Sequence, residues 1–126
     1  MQIGQCAAKR LRQFLHFSEE AAIEAGIHPQ QHQLLLQIAG ALEPPTIGYL
    51  AGRLSLRHHT VVELAKRCEA ANLLRRTQGE DKRVVLLGVT PKGQRLLEKL
   101  SAAHTRELNV LAPRLIRALK RIQKAK

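Results

Sequence analysis

The spacing of apolar residues predicts a mainly α-helical chain with one small β-hairpin set among the helices. Three observations carry that reading. Apolar residues recur at three- and four-residue steps through most of the 126 residues. The period changes once, over residues 73–90, where two short runs rich in branched side chains flank a turn of glycine and acids. Just before that change, a short helix and a longer one are joined by a tight turn. A helix-turn-helix followed at once by a two-stranded ribbon is the winged-helix arrangement.

Each element has its own signals. Residues 3–25 read as a helix, because Ile3, Ala7, Leu11, Phe14, Phe17 and Ala21 form one stripe and Gly26 is a suitable stop. A second helix runs from Pro29 to Ala41, since proline suits a first turn whose N–H groups lack intrahelical partners. Pro44 and Pro45 break the chain, and Thr46 is a good N-cap for a short helix over 47–53. Ser55 and Leu56 make the turn into a helix over 57–71, with Asn72 fit for a left-handed cap. Residues 73–77 and 83–90 read as the paired strands. Thr90 caps a further helix, with Pro91 at its first position, that runs to Leu108. Leu108, Leu111, Leu115, Leu119 and Ile122 continue a stripe that Pro113 is expected to kink or split into a last helix.

The stripes at the two ends are apolar beyond what so short a chain can bury alone. Leu11, Phe14, Leu108, Leu111, Leu115 and Leu119 are therefore expected to form a homodimer core. One domain, 1–126, is expected, with residues 1–28 and 91–126 as dimerisation helices around a winged core at 29–90.

Lys and Arg number 21 against 10 acids, a formal charge of +11, which argues for nucleic acid or an anionic surface as partner. Residues 1–52 hold three basic side chains and four acids, so all of the excess lies beyond residue 52. A basic protein of ribosomal type would carry its charge throughout. Phe14, Phe17 and Tyr49 are the only aromatics, too few for base-stacking platforms on single strands or RNA. Double-stranded DNA is left as the favoured partner. No apolar run reaches the ~18 residues of a membrane span, and no signal peptide is visible at the N-terminus. Two cysteines make no disulfide framework, so the cytoplasm is the expected compartment.

On a helical wheel of 57–71, Val61, Leu64, Ala65 and Cys68 share one face, which must pack inward. His59, Glu63 and Lys66 lie opposite, Thr60 and Arg67 flank them, and Arg57 and His58 open the first turn. Polar groups in the N-terminal half of a helix with a buried opposite face suit the major groove. The hairpin carries Arg75, Arg76, Lys82 and Arg83 around one turn, placed to reach phosphates or a narrow minor groove. Asp81 is expected to hold that turn by pairing with a nearby arginine, since phosphate would repel it.

These residues resemble a known family. Thr46-Ile-Gly-Tyr-Leu-Ala-Gly-Arg-Leu54, Thr60-Val61 with Leu64, and Glu69-Ala-Ala-Asn-Leu-Leu-Arg-Arg76 are similar to the winged-helix core of the MarR family of bacterial regulators. Asp81-Lys-Arg83 and Leu87-Gly-Val-Thr-Pro-Lys-Gly93 resemble its wing signature. The resemblance implies a homodimer with intertwined terminal helices and two winged helices on successive major grooves. It places residues 57–60, Glu63 and Lys66 at the DNA, and Lys82 and Arg83 in the wing. It also implies repression relieved by a small apolar or phenolic effector, bound between the dimer helices and the winged helix. Glu63 departs from the polar or basic residue frequent there, and the terminal helices are short for the family.

Other chemistry finds little support. One branch of the family senses peroxide through an N-terminal cysteine backed by tyrosines; here Cys6 has no such neighbour, and a packed or idle thiol is favoured. Cys68 falls on an inward face. His28 and His32 are spaced i, i+4 and His104 lies on the helix after the wing, a sparse set for zinc, so no metal and no cofactor is expected. No phosphate loop, metalloprotease motif or nucleophile elbow occurs, so an enzyme is not expected. Three functions stay open: sequence-specific regulation of transcription, architectural DNA binding with little sequence preference, and a winged helix that binds protein.

Overall fold

The computed structural model describes residues 2–124, except the side chains of Gln2, Ile3 and Cys6; the reading of the Cys6 thiol lies outside the described residues. The elements are α1 (Gln2–Glu24), α2 (Pro29–Gly40), α3 (Ile47–Leu54), α4 (His58–Ala70), β1 (Leu74–Gln78), β2 (Val85–Val89) and α5 (Pro91–Lys124). They form two compact units, Ile27–Lys99 and the paired stretches Met1–Gly26 and Leu100–Lys126.

The winged-helix unit is built on local signals. His28 caps α2, its Nδ1 accepting the Gln30 N–H at 3.1 Å while Gln31 Oε1 accepts the His28 N–H at 2.7 Å. That reciprocal box satisfies two N–H groups at the helix start. Thr46 Oγ1 accepts the Tyr49 N–H at 3.2 Å and starts α3. Ser55 closes α3 in the left-handed region at φ 54°, and Asn72 does the same after α4 at φ 61°. Leu34, Leu35, Leu50, Val61, Leu64, Cys68, Leu74 and Leu87 are buried and join α2, α3, α4 and the ribbon into one core. Each large side chain so buried contributes roughly 1.5–3 kcal/mol.

The hairpin is antiparallel, with Leu74 opposite Val89 and Gln78 opposite Val85. Leu86 also bridges Thr46, and the Leu87 N–H donates to the Pro45 carbonyl at 3.0 Å. The segment before α3 is thus a stub of third strand, too short to leave a period in the sequence.

Thr90 joins the wing to α5. Its Oγ1 donates to the Asn72 carbonyl at 2.6 Å and accepts the Gly93 N–H at 3.0 Å, and its N–H donates to Leu73 at 3.1 Å. Gly93 is required by this approach: a Cβ there would overlap the Leu73 carbonyl oxygen and lie 2.7 Å from Val89 Cγ1.

The terminal-helix unit contains α1 and the later part of α5. Gly26, at φ 89°, ends the turn after α1 in a conformation open mainly to glycine. Ser18 Oγ lies 2.7 Å from His104 Nε2, and the rings of Phe14 and Phe17 meet His104 edge-on at 5.9 and 5.8 Å. The split expected at Pro113 does not occur, because α5 runs unbroken to Lys124 with Pro113 inside it. Proline removes one backbone hydrogen bond, and the helix is continuous across it over 34 residues.

Leu111, expected in the dimer core, is buried within the chain itself. Leu11, Leu108 and Leu119 are exposed, while Phe14 and Leu115 are half-buried.

Candidate nucleic-acid interface

The inward face of α4 is as its spacing requires: Val61, Leu64, Ala65 and Cys68 are all buried. Burial pushes the Cys68 thiol up to about 11, which keeps it protonated and inert near neutrality. His59, Glu63, Lys66 and Arg67 are exposed on the other side, with Thr60 half-buried at its edge. Glu63 and Lys66 pair loosely at 3.7 Å, an exposed contact of small energetic weight.

The start of α4 differs from that of α3. Its N-cap is Arg57, which makes no side-chain capping bond. The first N–H groups of α4 therefore keep their partial positive charge unscreened by a cap, beside the exposed side chains of Arg57 and His58. Such a helix start suits a phosphate.

Strand register separates the four hairpin cations, which do not lie around one turn. Arg76 stands opposite Leu87 and shares the inward face of the ribbon with Leu74. It donates to both carboxylate oxygens of Glu69, at 2.8 and 3.0 Å, tying the end of α4 to β1. The hydrogen bonds and charge of this clamp lower the Glu69 pKa and raise that of Arg76. Arg75, opposite Gly88, points to the outer face near the base of the ribbon.

Only Lys82 and Arg83 occupy the tip, in the loop closed by Gly79 N–H donating to Val84 at 2.8 Å. There Asp81 pairs with Arg83. Its Oδ1 accepts the Arg83 backbone N–H at 3.0 Å, and its two oxygens accept the Arg83 guanidinium at 3.2 and 3.1 Å. These bonds hold the Asp81 carboxyl below its ordinary value. The Arg83 side chain remains 90% exposed. The tip and α4 converge on one open cleft of about 450 Å³, bordered by Thr46, His58, Val62, Arg76 and Arg83.

The histidines considered for zinc do otherwise. His28 is the α2 cap and His32 is buried in the winged-helix unit. His104 contacts Ser18 and the two phenylalanines in the other unit. Among the described residues, no three His, Cys, Asp or Glu gather as metal ligands, and no helix is long and apolar enough to cross a membrane. Sequence reading missed the Glu69–Arg76 clamp, whose partners lie seven residues apart across a change of element.

Residues 25–84 match the family model described as the MarR family. No curated protein matches the chain in sequence. Among solved structures, a mutant of MepR from S. aureus bound to an oligodeoxyribonucleotide is similar, with 21% identity and a TM-score of 0.73 over 90% of this chain and 84% of that one. YusO from Bacillus subtilis is 22% identical with a TM-score of 0.75, over 98% of this chain and 92% of that one. Wild-type MarR from E. coli in its apo form is 20% identical with a TM-score of 0.73, over 97% and 93%. At these identities the likenesses establish the fold. Residues 25–84, just under half of the chain, are thus similar to the MarR family, and the fold is the one these solved structures share.

Proposed function

We propose that the chain is a homodimeric repressor that reads a specific duplex sequence and releases it when a small apolar or phenolic effector binds. One observation carries the reading. In a single packed unit, the uncapped start of α4, through His58, borders the same cleft as Arg83 of the wing tip, while the rest of α4 turns His59, Glu63, Lys66 and Arg67 to solvent. The face of α4 offers donors and acceptors for base edges through His59, Glu63 and Lys66, with Arg57, His58, Thr60 and Arg67 around it. Arg75, Lys82 and Arg83 supply phosphate or minor-groove contacts. The solved MepR mutant with bound oligodeoxyribonucleotide supports duplex binding on this fold. Family regulators are dimeric and bind small-molecule effectors, which supports the other two clauses.

A two-fold dimer places its recognition helices one helical turn apart, roughly 10 base pairs. Selection of bound sequences from a random duplex pool should therefore return an inverted repeat. Competition should then show a preference for it of at least about 10³ over random DNA. A preference under tenfold would support architectural binding instead. No binding even at low salt would leave the winged helix as a protein-interaction module.

A further inference from the structure

Residues 2–13 of α1 and 112–124 of α5 carry eight Lys and Arg and no Asp or Glu. Ser18 meets His104, while Arg10 shares a cleft with residues 114–121, so the two helices run antiparallel and bring those stretches to one end of the terminal-helix unit. Arg10, Arg114, Arg117 and Arg121 line that cleft, a concavity of about 210 Å³ with the buried Ala118 among its walls. Residues 114, 117 and 121 share one face of α5 by their i, i+3 and i+7 spacing, and Arg10 adds a fourth guanidinium from α1.

Among the described residues no acid offsets this charge. Among the described residues the ion pairs are His16–Glu20, Lys66–Glu63, Arg76–Glu69 and Arg83–Asp81, none of them at the cleft. Arg10 donates only to the neutral Gln13, at 3.1 Å. Glu20, Glu24 and Glu107 border a separate cleft of the same unit. Like charges at helical spacing repel, and burial of Ala118 beneath them keeps them close together. An anion would turn that repulsion into attraction. Guanidinium forks match the paired oxygens of phosphoryl and carboxylate groups. A small concavity ringed by four of them suits one compact ligand better than the long convex surface of a duplex.

We propose that the cleft formed by Arg10, Arg114, Arg117 and Arg121 binds a compact oxyanion with two or more negative charges, of the phosphoryl or polycarboxylate class. The site lies wholly in the terminal-helix unit and does not depend on how α4 meets DNA.

Calorimetric titration of the full chain with pyrophosphate and with citrate, at ionic strength held constant with sodium chloride, tests it. One saturable site per chain is expected for at least one of the two, and the tighter arm assigns the ligand class. Arg117→Gln and Arg121→Gln should each weaken it tenfold or more. Lys124→Gln, on the same basic end but outside the cleft, should change it less than twofold. Arg117→Lys, which keeps the charge and loses the fork, should fall between. Circular dichroism checks each variant. Should an arginine variant fail to fold, the wild-type melting midpoint still decides: it should climb with the logarithm of ligand concentration at constant ionic strength. Absence of a saturable site, a flat midpoint, or an equal loss in Lys124→Gln would overturn the proposal. So would a drop of about one in the salt slope of random-duplex binding by Arg117→Gln, because DNA phosphates would then hold the cleft.

Discussion

In the winged-helix unit Leu34, Leu35, Leu50, Val61, Leu74 and Leu87 are fully buried, although Leu36, Leu42, Tyr49 and Val84 are exposed. In the terminal-helix unit the buried positions are Ala7, Ala22 and Ala118 with Leu100 and Leu111. Its larger side chains Leu15, Ile23, Leu108, Val110, Ile116 and Leu119 stand 43–63% exposed. Polar groups differ in the same sense. The winged-helix unit ties down Glu69, Arg76, Asp81, Arg83 and Thr90 by hydrogen bonds, whereas the basic end of the terminal-helix unit has cations without ion-pair partners among the described residues. One unit closes a core of large apolar side chains within a single chain. The other presents apolar surface and uncompensated charge, and both are reasons to bind something else.

The largest effect should come from the terminal-helix unit. Leu108→Glu combined with Leu119→Glu places two carboxylates on surface that a partner copy would cover, at a cost of several kcal/mol if they stay charged. Wild-type protein should sediment at twice 14.1 kDa, and the double variant at 14.1 kDa with the dispersed amide spectrum of its winged-helix unit retained. A double variant that remains dimeric would remove these residues from the interface. One that loses the winged-helix spectrum as well would end the contrast between the units.

Gly93→Ala attacks the winged-helix unit. The added methyl has no free direction, because the Leu73 carbonyl it meets is backbone already bonded to the Thr90 N–H. Overpacking of this kind costs ~1–3 kcal/mol. Melting should fall by roughly 4–8 °C per kcal/mol for a unit of this size, while sedimentation stays dimeric. An unchanged midpoint would mean that the junction of wing and α5 yields easily.

How far each unit is legible in the sequence follows from the range of the interactions that build it. Thr46, Gly26, Asn72 and Thr90 act on residues within a few positions, so their caps and stops can be read directly, and the inward face of α4 follows from its period. Leu86 bridging Thr46 is a single pairing across forty residues and leaves no periodic trace. Counting charge along the chain groups Arg75 and Arg76 with the tip. Strand register, a property of two segments together, puts them near the base and on opposite faces. Pro113 reads as a break from its local chemistry alone, although the helix continues on both sides of it. The cleft at Arg10 joins positions more than one hundred residues apart and is visible only in the fold.

The smallest effect should separate the wing tip from α4 within the winged-helix unit. Arg83 stands on a tip whose shape is kept by Asp81, with no apolar face of its own to bury. Removing a phosphate-binding cation there lowers affinity for every sequence and makes the salt slope shallower by about one. His59 stands on the face of α4 opposite Val61 and Leu64, where removing a group that reads a base edge costs ~1–3 kcal/mol of discrimination. Arg83→Ala should therefore weaken selected and random duplexes together, and His59→Ala should chiefly erode the preference between them. Titrations on both duplexes at several salt concentrations decide. Acidity adds a second readout. The Asp81 pKa is lowered in the fold, so its clamp is fully present above the ordinary Asp value near 3.8 and is lost as pH falls through the lowered one. Amide exchange at Arg83 should rise in that acid range, beyond the intrinsic pH dependence, in the wild type but not in Asp81→Asn, which lacks the charged clamp from the start. If Arg83→Ala left both affinities and the salt slope unchanged, the wing would not touch DNA, and α4 would have to bind without it.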